Sequence, residues 1–306
     1  MKIFTIPLIG MMCWALQVSQ AQTPTDAVMM KQREFCFAAM YDYGSFNHYY
    51  EGDFLRTNAT IATVYRKTFL PMLAIGLHDR INLIVGAPYI QTRSSNPNGG
   101  RLEGAKGLQD FGVTLKAEVF NRELGSGKLH VLTALGYSTP MTNYLSDYMP
   151  YSLGFGANEF SARAIAQYKL TMGLYARVSL AHQWRGQTKA ERDYYYNNGS
   201  YYTPWMDVPN AWNYQTVLGA SLLKNSLRLE ASFSSFRCTS GDDIRSYNAP
   251  QPTNKVVSDQ IGFMVQYYFP QVKGLGVLAY YNNVINGRNC AKIENLGGGL
   301  TYQFKL

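Results

Sequence analysis

The sequence predicts an all-β protein: a single antiparallel up-and-down transmembrane β-barrel of about 12 strands, with short periplasmic turns and long outer loops. Three observations predict it. Apolar and polar residues alternate in repeated segments, short and long links between these segments take turns, and the composition suits a two-faced sheet. The chain has 24 Tyr, 15 Phe and 27 Gly, whereas only 16% of its residues are charged. Such a composition is typical of strands with aromatic girdles at membrane interfaces.

The alternation of apolar and polar residues is clearest in six segments: 111–119, 160–170, 174–181, 227–234, 260–269 and 300–306. A period of two places successive side chains on opposite faces of a strand. In each segment the charged residues fall on the polar face and never on the apolar one. We therefore expect one face of each strand to meet lipid and the other to meet a polar lumen.

The strand count follows from the links between the segments. Short links lie near 78–79, 121–128, 171–172, 224–225 and 271–274, and long ones near 45–55, 93–107, 139–155, 186–209 and 239–255. The two kinds alternate strictly, although the final link on the long side, 287–291, is brief. Barrels of the outer membrane place short turns in the periplasm and long loops outside, so the order of links predicts about twelve strands with both termini periplasmic.

The N-terminal residues predict export. Lys2 precedes an apolar stretch over 3–18, and Ser19-Gln20-Ala21 has the small-x-small pattern of a signal peptidase site. The expected division of the chain is a cleaved signal peptide (1–21), a short and loosely held N-terminal lead (22–31) and the barrel (32–306). The predicted location is the bacterial cell outer membrane.

The charge of the chain limits its partners. The formal net charge is +8, but the Lys and Arg residues are scattered and form no basic cluster with interleaved aromatic residues. Nucleic acid is therefore not an expected partner. The expected partners are outer-membrane lipid and a small solute, and the basic excess either serves an anion or is simply solvated. No cofactor is predicted, and the oligomeric state stays open.

The middle of the chain resembles a known family. The sequence LHDRINLIVGAPYI at 77–90 is followed by GLQDFGVTLKAEVF at 107–120 and by ALGYSTP at 134–140. This order resembles the outer-membrane barrels named after the meta-pathway of phenol degradation, a transporter-like family related to importers of fatty acids and aromatic hydrocarbons. The resemblance implies import of small hydrophobic or aromatic solutes.

Charged residues on the polar faces are the candidate lumen and selectivity residues: Lys116, Glu118, Arg163, Lys169, Arg177, Arg185, Arg228 and Glu230. Rings of charged side chains set selectivity in pores. The alternative is that Arg and Glu pair across neighbouring strands only to fill the lumen, because buried charges need partners. The sequence leaves both interpretations open.

The longest outer loop, 191–214, is rich in aromatic residues. Its candidate binding residues are Tyr194, Tyr195, Tyr196, Tyr201, Tyr202 and Trp205. Rigid aromatic surfaces with Asn and Ser between them suit capture of a ligand or a partner protein. Packing within the loop is an equal alternative, and Trp212 and Tyr214 are expected in the interfacial girdle.

Three cysteines, Cys36, Cys238 and Cys290, lie outside the predicted signal peptide. Cys238 falls at the outer end of a strand and Cys290 in the outer link two strands later, which favours a disulfide between them in an oxidising compartment, whereas Cys36 is expected near the periplasmic end, out of reach. The alternative is three unpaired thiols.

Enzymatic patterns are weak in this sequence. It has no HExxH pair and no Gly-x-Ser-x-Gly elbow, and GSGK at 125–128 is better interpreted as a glycine turn. No metal-ligand spacing and no catalytic residue is predicted.

The leading hypothesis is an outer-membrane channel or importer rather than an enzyme, and the alternative is a closed barrel that anchors outer loops for binding. Pro71 and Pro88 have no backbone N–H and cannot donate a hydrogen bond to a neighbouring strand. They are therefore the candidate sites of a gap in the barrel wall.

Overall fold

The computed structural model describes residues 22–97, 102–196, 199–244 and 250–306. The predicted signal peptide lies outside these residues, so its cleavage stays a prediction. In the described part of the chain, no helix has the length and apolar character needed to cross a membrane. The strands in chain order are β1 (Glu34–Phe46), β2 (His48–Glu51), β3 (Phe54–Thr57), β4 (Val64–His78), β5 (Ile81–Gly86), β6 (Tyr89–Ser94), β7 (Lys106–Leu108), β8 (Asp110–Leu124), β9 (Gly127–Pro140), β10 (Glu159–Leu170), β11 (Leu174–Arg185), β12 (Gln187–Lys189), β13 (Tyr195–Tyr196), β14 (Ser200–Tyr201), β15 (Trp205–Asp207), β16 (Ala211–Leu222), β17 (Leu227–Cys238), β18 (Val257–Tyr268), β19 (Leu275–Arg288) and β20 (Glu294–Lys305).

One antiparallel sheet closes on itself to form a barrel. Strand β1 pairs with β20 on one side and with β4 on the other, which joins the two ends of the chain. Strands β5 and β6 both pair with β4 and act as one interrupted barrel strand, and β7 and β8 continue one another beside them. Counted this way, the barrel has 12 strands, which confirms the predicted architecture. Closure gives the spanning strands a partner on each side, as a structure in lipid requires, while the short β7 at the outer end has one partner.

The links alternate in length as predicted. Turns 79–80, 125–126, 171–173, 223–226 and 269–274 lie at one end, and links 47–63, 95–105, 141–158, 186–210, 239–256 and 289–293 at the other. We call these the periplasmic and outer ends. Two strands run further than the sequence suggested, because β8 and β9 continue across 121–128 and leave only a two-residue turn.

The faces of the strands also follow the prediction. On β11 exposed and buried residues alternate from Leu174 onward, with apolar side chains outside and Tyr175, Arg177 and Ser179 inside. The outward face carries a belt of exposed large apolar residues on all sides of the barrel, including Leu115, Val178, Leu218, Phe263 and Leu300. Such a belt is the lipid-facing surface expected of a membrane barrel.

The wall around the two prolines is bridged by hydrogen bonds. The ladder breaks between β5 and β6 at Ala87 and Pro88. The backbone N–H of Ala87 donates to Pro71 O at 3.4 Å, and that of Gln109 donates to Pro88 O at 2.9 Å. Pro71 itself lies within β4, opposite Ala39 of β1. The predicted wall defect is therefore a local irregularity that is bridged from both neighbouring strands.

Candidate functional site

Four side chains form a buried charged cluster inside the lumen, near the periplasmic ends of β11 and β17: Tyr175, Arg177, Arg228 and Glu230. The Arg177 guanidinium donates two bonds to Glu230, of 2.9 and 3.1 Å to separate carboxylate oxygens. Arg228 donates from Nε to Glu230 Oε1 at 2.9 Å and to the Tyr175 hydroxyl at 2.9 Å. The Tyr175 hydroxyl in turn donates to Glu230 at 2.6 Å. One carboxylate thus serves two cations, and this geometry compensates for the desolvation of all three charges.

The cluster bridges strands that are not neighbours. Strand β16 separates β11 from β17, and the register places Gly219 directly between Tyr175 and Glu230. A Cβ at Gly219 would overlap the ring of Tyr175. The absence of a side chain at Gly219 therefore lets the tyrosine lie across β16 and reach the carboxylate.

A similar arrangement occurs at a second place in the lumen, between β19 and β1. Tyr280 of β19 lies beside Gly297, where a Cβ would overlap its ring, and the next strand places Asp42 opposite that glycine. The Tyr280 ring is therefore directed across β20 towards Asp42, as the Tyr175 ring is directed across β16 towards Glu230.

We expect Gly219→Ala to destabilise the barrel by about 1–3 kcal/mol, because the added methyl group must displace the Tyr175 ring in a packed lumen. The Tyr175 to Glu230 hydrogen bond should be lost with it. The matched control is Gly112→Ala, where the nearest atom to the new Cβ lies 3.9 Å away. Urea unfolding in micelles, followed by gel mobility of unheated samples, measures both variants. Equal midpoints for the two would contradict the bridging role of Gly219.

The N-terminal lead folds into the lumen. Asp26 forms an ion pair with Lys116 of β8 at 2.8 Å, and both side chains are almost fully buried. The same ammonium group donates to the backbone carbonyls of Thr23 and Asp26, each at 2.9 Å. All three ammonium hydrogens can therefore be used within the barrel, and Lys116 holds the lead in place.

The lead is also held by its own turn and by apolar contacts. The Asp26 carboxylate accepts from the backbone N–H groups of Thr23 at 2.6 Å and Val28 at 2.9 Å. Met30 packs in a buried cluster with residues of β1, β4, β5 and β18, and Ala27 packs against β9 and β10. Because these contacts reach facing parts of the wall, the lead crosses the lumen. The expectation of a loosely held lead is wrong, since Ala27 and Met30 bury apolar area that a solvated tail would expose.

A cavity of about 260 Å³ remains between the lead and the wall. Its apolar lining comes from Met40, Met72, Met264 and Leu278, and its polar lining includes residues of the charged cluster. Two residues that line it, Gln215 and Thr301, each have a buried polar atom (Oε1 and Oγ1) that makes no hydrogen bond to another described residue. The cavity thus combines adaptable thioether side chains with unpaired polar atoms.

The outer mouth is narrowed by the link 141–158. Arg66 of β4 donates to the carbonyl oxygens of Ser152 at 3.2 Å and Leu153 at 2.6 Å. The buried Tyr151 shares a hydrogen bond of 2.7 Å with Ser94 on the inner face of β6. The link therefore folds inward rather than away from the barrel, and the lumen is occupied from both ends.

Tyr144 connects this link to the wall. Its hydroxyl donates to Asp110 of β8 at 2.6 Å and accepts from the backbone N–H of Gly156 at 2.9 Å. Burial, together with the hydrogen bond to Asp110, raises the pKa of Tyr144 above its ordinary value of 10. The hydroxyl therefore stays protonated at neutral pH and keeps its bond to the carboxylate.

The eight predicted lumen residues fall into three groups. Lys116, Arg177, Arg228 and Glu230 form a central group around the lead, as described. Towards the outer end, Arg163 donates to Ser179 and Asn213 at 3.1 and 3.2 Å, and Arg185 pairs with Glu159 at 2.8 Å. Near the periplasmic end, Glu118 contacts His130 at 2.9 Å and Lys169 contacts Asn225 at 3.0 Å. The central four are brought together with the lead, whereas the other four make separate local contacts.

The aromatic loop forms an ordered arm at the outer end. Strands β12 and β15 pair, and β13 and β14 form a smaller hairpin beyond them. Tyr195 is buried with Ala190 and Met206, and its ring stacks on Tyr201 with centroids 5.4 Å apart. The other candidates divide by exposure: Tyr196 is partly buried, whereas Tyr194, Tyr201, Tyr202 and Trp205 are exposed. Packing therefore accounts for Tyr195, and the exposed residues form the outer surface of the arm.

The predicted disulfide between Cys238 and Cys290 is absent. Both residues, like Cys36, are free thiols. Strand β18 separates the two, since Cys238 N–H donates to Val256 O at 2.8 Å while Cys290 Sγ lies 3.2 Å from Val257 O. Burial raises the pKa of the Cys290 thiol to about 12, which keeps it protonated and unreactive.

No group of three or more His, Cys, Asp or Glu side chains with metal-binding geometry occurs in the part of the chain that the structure describes.

Neither a protein-family model nor a curated protein matches the chain. Among solved structures, the COG4313 outer membrane channel from Pseudomonas putida F1 has a TM-score of 0.73 at 12% identity, covering 93% of this chain and 100% of that one. The chain has the fold of an outer-membrane β-barrel. The transport unit of the autotransporter AIDA-I from Escherichia coli (TM-score 0.48, 8% identity, 89% of this chain and 91% of that one) and the KdgM porin (TM-score 0.40, 9% identity, 87% and 99%) are less similar in structure.

Two parts of the site escaped the sequence analysis, the lead and the link 141–158. The lead did offer a signal, because the apolar run 27–30 follows a Thr-Pro-Thr-Asp turn and such a run favours burial. The link offered none, since its Ser, Gly and Tyr residues are equally typical of a solvated loop.

Proposed function

We propose that this protein is an outer-membrane channel for small solutes, and that its own N-terminal lead closes it at rest. The observation that carries the proposal is the lead inside the lumen, held by the buried ion pair of Asp26 and Lys116. If the predicted signal peptide is removed, the lead is joined covalently to the barrel at one end only, next to Gln32, whose N–H donates to Asp79 in a periplasmic turn at 3.0 Å. A segment attached at one end can leave the lumen without any change in the wall.

The lumen charges support a transport path. The central cluster of Arg177, Arg228 and Glu230 lies beside the lead and lines the cavity. When the lead withdraws, Lys116 loses its carboxylate and joins these groups on the path. The resulting ladder of fixed charges is the kind of lining that selects solutes in pores.

The cavity favours small hydrophobic or aromatic solutes that carry a polar group, in agreement with the family resemblance. A volume of about 260 Å³ suits a molecule of a few rings at most. Methionine side chains adapt to apolar shapes, and the unpaired atoms of Gln215 and Thr301 offer hydrogen bonds to one polar substituent.

The competing proposal is a permanently closed barrel that anchors its outer arm. The satisfied ion pairs in the lumen and the link 141–158 in the outer mouth favour it, as do the exposed aromatic residues of the arm. In this alternative the exposed Tyr202 and Trp205 capture a ligand or partner, and the lead is a permanent part of the core.

Liposome swelling distinguishes the two proposals. We compare the refolded mature protein with a chain that begins at Lys31, using a small aromatic acid as solute and a large oligosaccharide as the excluded control. The channel proposal expects slow swelling with the full chain and fast swelling with the shortened one, for the small solute only. No swelling from either chain, with both shown to be folded by heat-modifiable gel mobility, overturns the channel and favours the anchor.

A further inference from the structure

The outward face of β4, β6 and β7 carries a row of cations at the outer rim. The register places Lys67 opposite Gln91 and Gln91 opposite Lys106, so the two lysines and the glutamine between them form one line across three strands. Arg93 lies one step further out, opposite Tyr65. All three cations are exposed. They point away from the lumen and take no part in the site described above.

The row lies directly above the apolar belt. The next outward residues towards the membrane are Phe69, Tyr89 and Leu108, again opposite one another and exposed. A cation one step beyond a lipid-facing aromatic row lies at the depth of lipid head groups. Their position therefore brings the lysines to the polar edge of the outer leaflet.

These cations are available to a ligand. In the described part of the chain, neither Lys67 nor Lys106 forms an ion pair or a side-chain hydrogen bond. Arg93 contacts Glu103 at 3.0 Å, but both side chains are largely exposed, so this pair is weak. The patch keeps a net positive charge.

Tyrosines complete a shallow pocket around the row. The pocket has a volume of about 320 Å³ and is lined by Lys67, Arg93, Gln91, Tyr43 and Tyr65, among others. The rings of Tyr43 and Tyr65 lie 6.0 Å apart and form one wall. Cations beside hydroxyl and amide donors form a suitable site for a phosphate group, and the ring wall suits a sugar.

The rest of the rim is different. On β9, β10, β11 and β16 the outward residues near the outer end are aromatic: Tyr137, Phe160, Trp184 and Trp212. Arg237 on β17 is outward as well, but it is neutralised by Asp259 at 3.0 Å. The cationic row is therefore a local feature of one side of the barrel.

We propose that this row binds the phosphate groups of the glycolipid that forms the outer leaflet of the bacterial outer membrane. The proposal rests on the outer-membrane location proposed above, but not on transport. The lysine ammonium groups contact the phosphates, Arg93 and Gln91 add donors, and the acyl chains lie on the apolar row below. The bound lipid thereby fixes the height of this side of the barrel in the leaflet.

Native mass spectrometry of the refolded full-length mature protein tests the proposal. The probes are bisphosphorylated lipid A, the same lipid with its phosphates removed, and inorganic phosphate, each in neutral detergent without divalent cations. The double variant Lys67→Gln/Lys106→Gln is compared with Lys189→Gln/Lys255→Gln, which removes the same charge from exposed outer-loop positions. Heat-modifiable gel mobility shows whether each variant is folded.

We expect the first variant to bind the phosphorylated lipid at least about tenfold more weakly, and the control to bind as the parent does. Binding should weaken as salt rises, because exposed charges are screened. Equal binding by the two variants, or equal binding of the dephosphorylated lipid, overturns the proposal. Complete displacement of the bound lipid by inorganic phosphate at equal concentration also overturns the proposal, because it would show that the site binds free phosphate. None of these readouts depends on conductance, so a silent channel leaves the lipid site standing.

Discussion

Asp26→Asn should increase the fraction of time that the barrel is open in planar bilayers by a factor on the order of a hundred. Removing one partner of a buried ion pair costs roughly 3–5 kcal/mol, because the other charge stays buried without compensation. Here Lys116 would remain in a lumen that it shares with the cations Arg177 and Arg228. Withdrawal of the lead exposes Lys116 to water and relieves that cost, so the balance moves towards the open state.

Two further variants make this result specific to the ion pair. Asp193→Asn removes the same charge from an exposed position in the outer arm and should leave conductance unchanged. The double variant Asp26→Asn/Lys116→Met removes both charges and should return the barrel towards its closed state, since no buried charge is left unpaired. Single-channel recordings of all three at one voltage and salt concentration give the comparison. If Asp26→Asn opens no more often than Asp193→Asn, the lead does not gate the lumen through this pair.

The second large effect is expected for Glu230→Gln, which should lower the free energy of unfolding of the barrel by about 3–5 kcal/mol. Glu230 is the common acceptor for Arg177, Arg228 and Tyr175. A neutral amide at this position leaves two guanidinium groups in one buried cluster without a counter charge. The unfolding midpoint in urea, measured in micelles by the mobility of unheated samples, is the readout.

Glu103→Gln is the matched control for this variant. Glu103 also pairs with an arginine, Arg93, at 3.0 Å, but the Arg93 side chain is 67% exposed. Water can therefore solvate the remaining cation, and the expected loss is at most about 1 kcal/mol. If the two variants unfold at the same urea concentration, the central cluster has no special part in holding the barrel together.

The strand pattern could be predicted because it is local. In each strand, apolar lipid-facing residues alternate with polar lumen-facing residues. The lumen-facing position of Lys116, Arg177 and Arg228 therefore follows from the residues next to them. The number of strands follows in the same way from the order of the links. The bounds were less accurate where a strand stays regular up to a tight turn, as at Gly125 between β8 and β9.

The partners of the lumen charges could not be predicted from the same information. The sequence suggested pairing between neighbouring strands, whereas Arg177 pairs with Glu230 across β16. That contact depends on the tilt and register of three strands, and the Tyr175 ring that completes the cluster can lie over Gly219 because this residue has no side chain. The disulfide prediction failed for a similar reason. The sequence indicated that both cysteines lie at the outer end of the barrel, but it did not show that β18 lies between them and keeps the two thiols apart.

By itself, the sequence determined a closed barrel of 12 strands, its lipid-facing and lumen-facing residues, and the ends at which its turns and loops lie. Short stretches of the chain are enough to determine these properties, because the pleated backbone places the side chains of neighbouring residues on opposite faces of the strand. Only the tertiary structure decided what fills the lumen. Asp26 and Lys116 are 90 residues apart, and the link 141–158 has no pattern that points inward. Their positions depend on which buried charges and apolar surfaces remain uncovered once the wall has closed, and that is a property of the whole barrel.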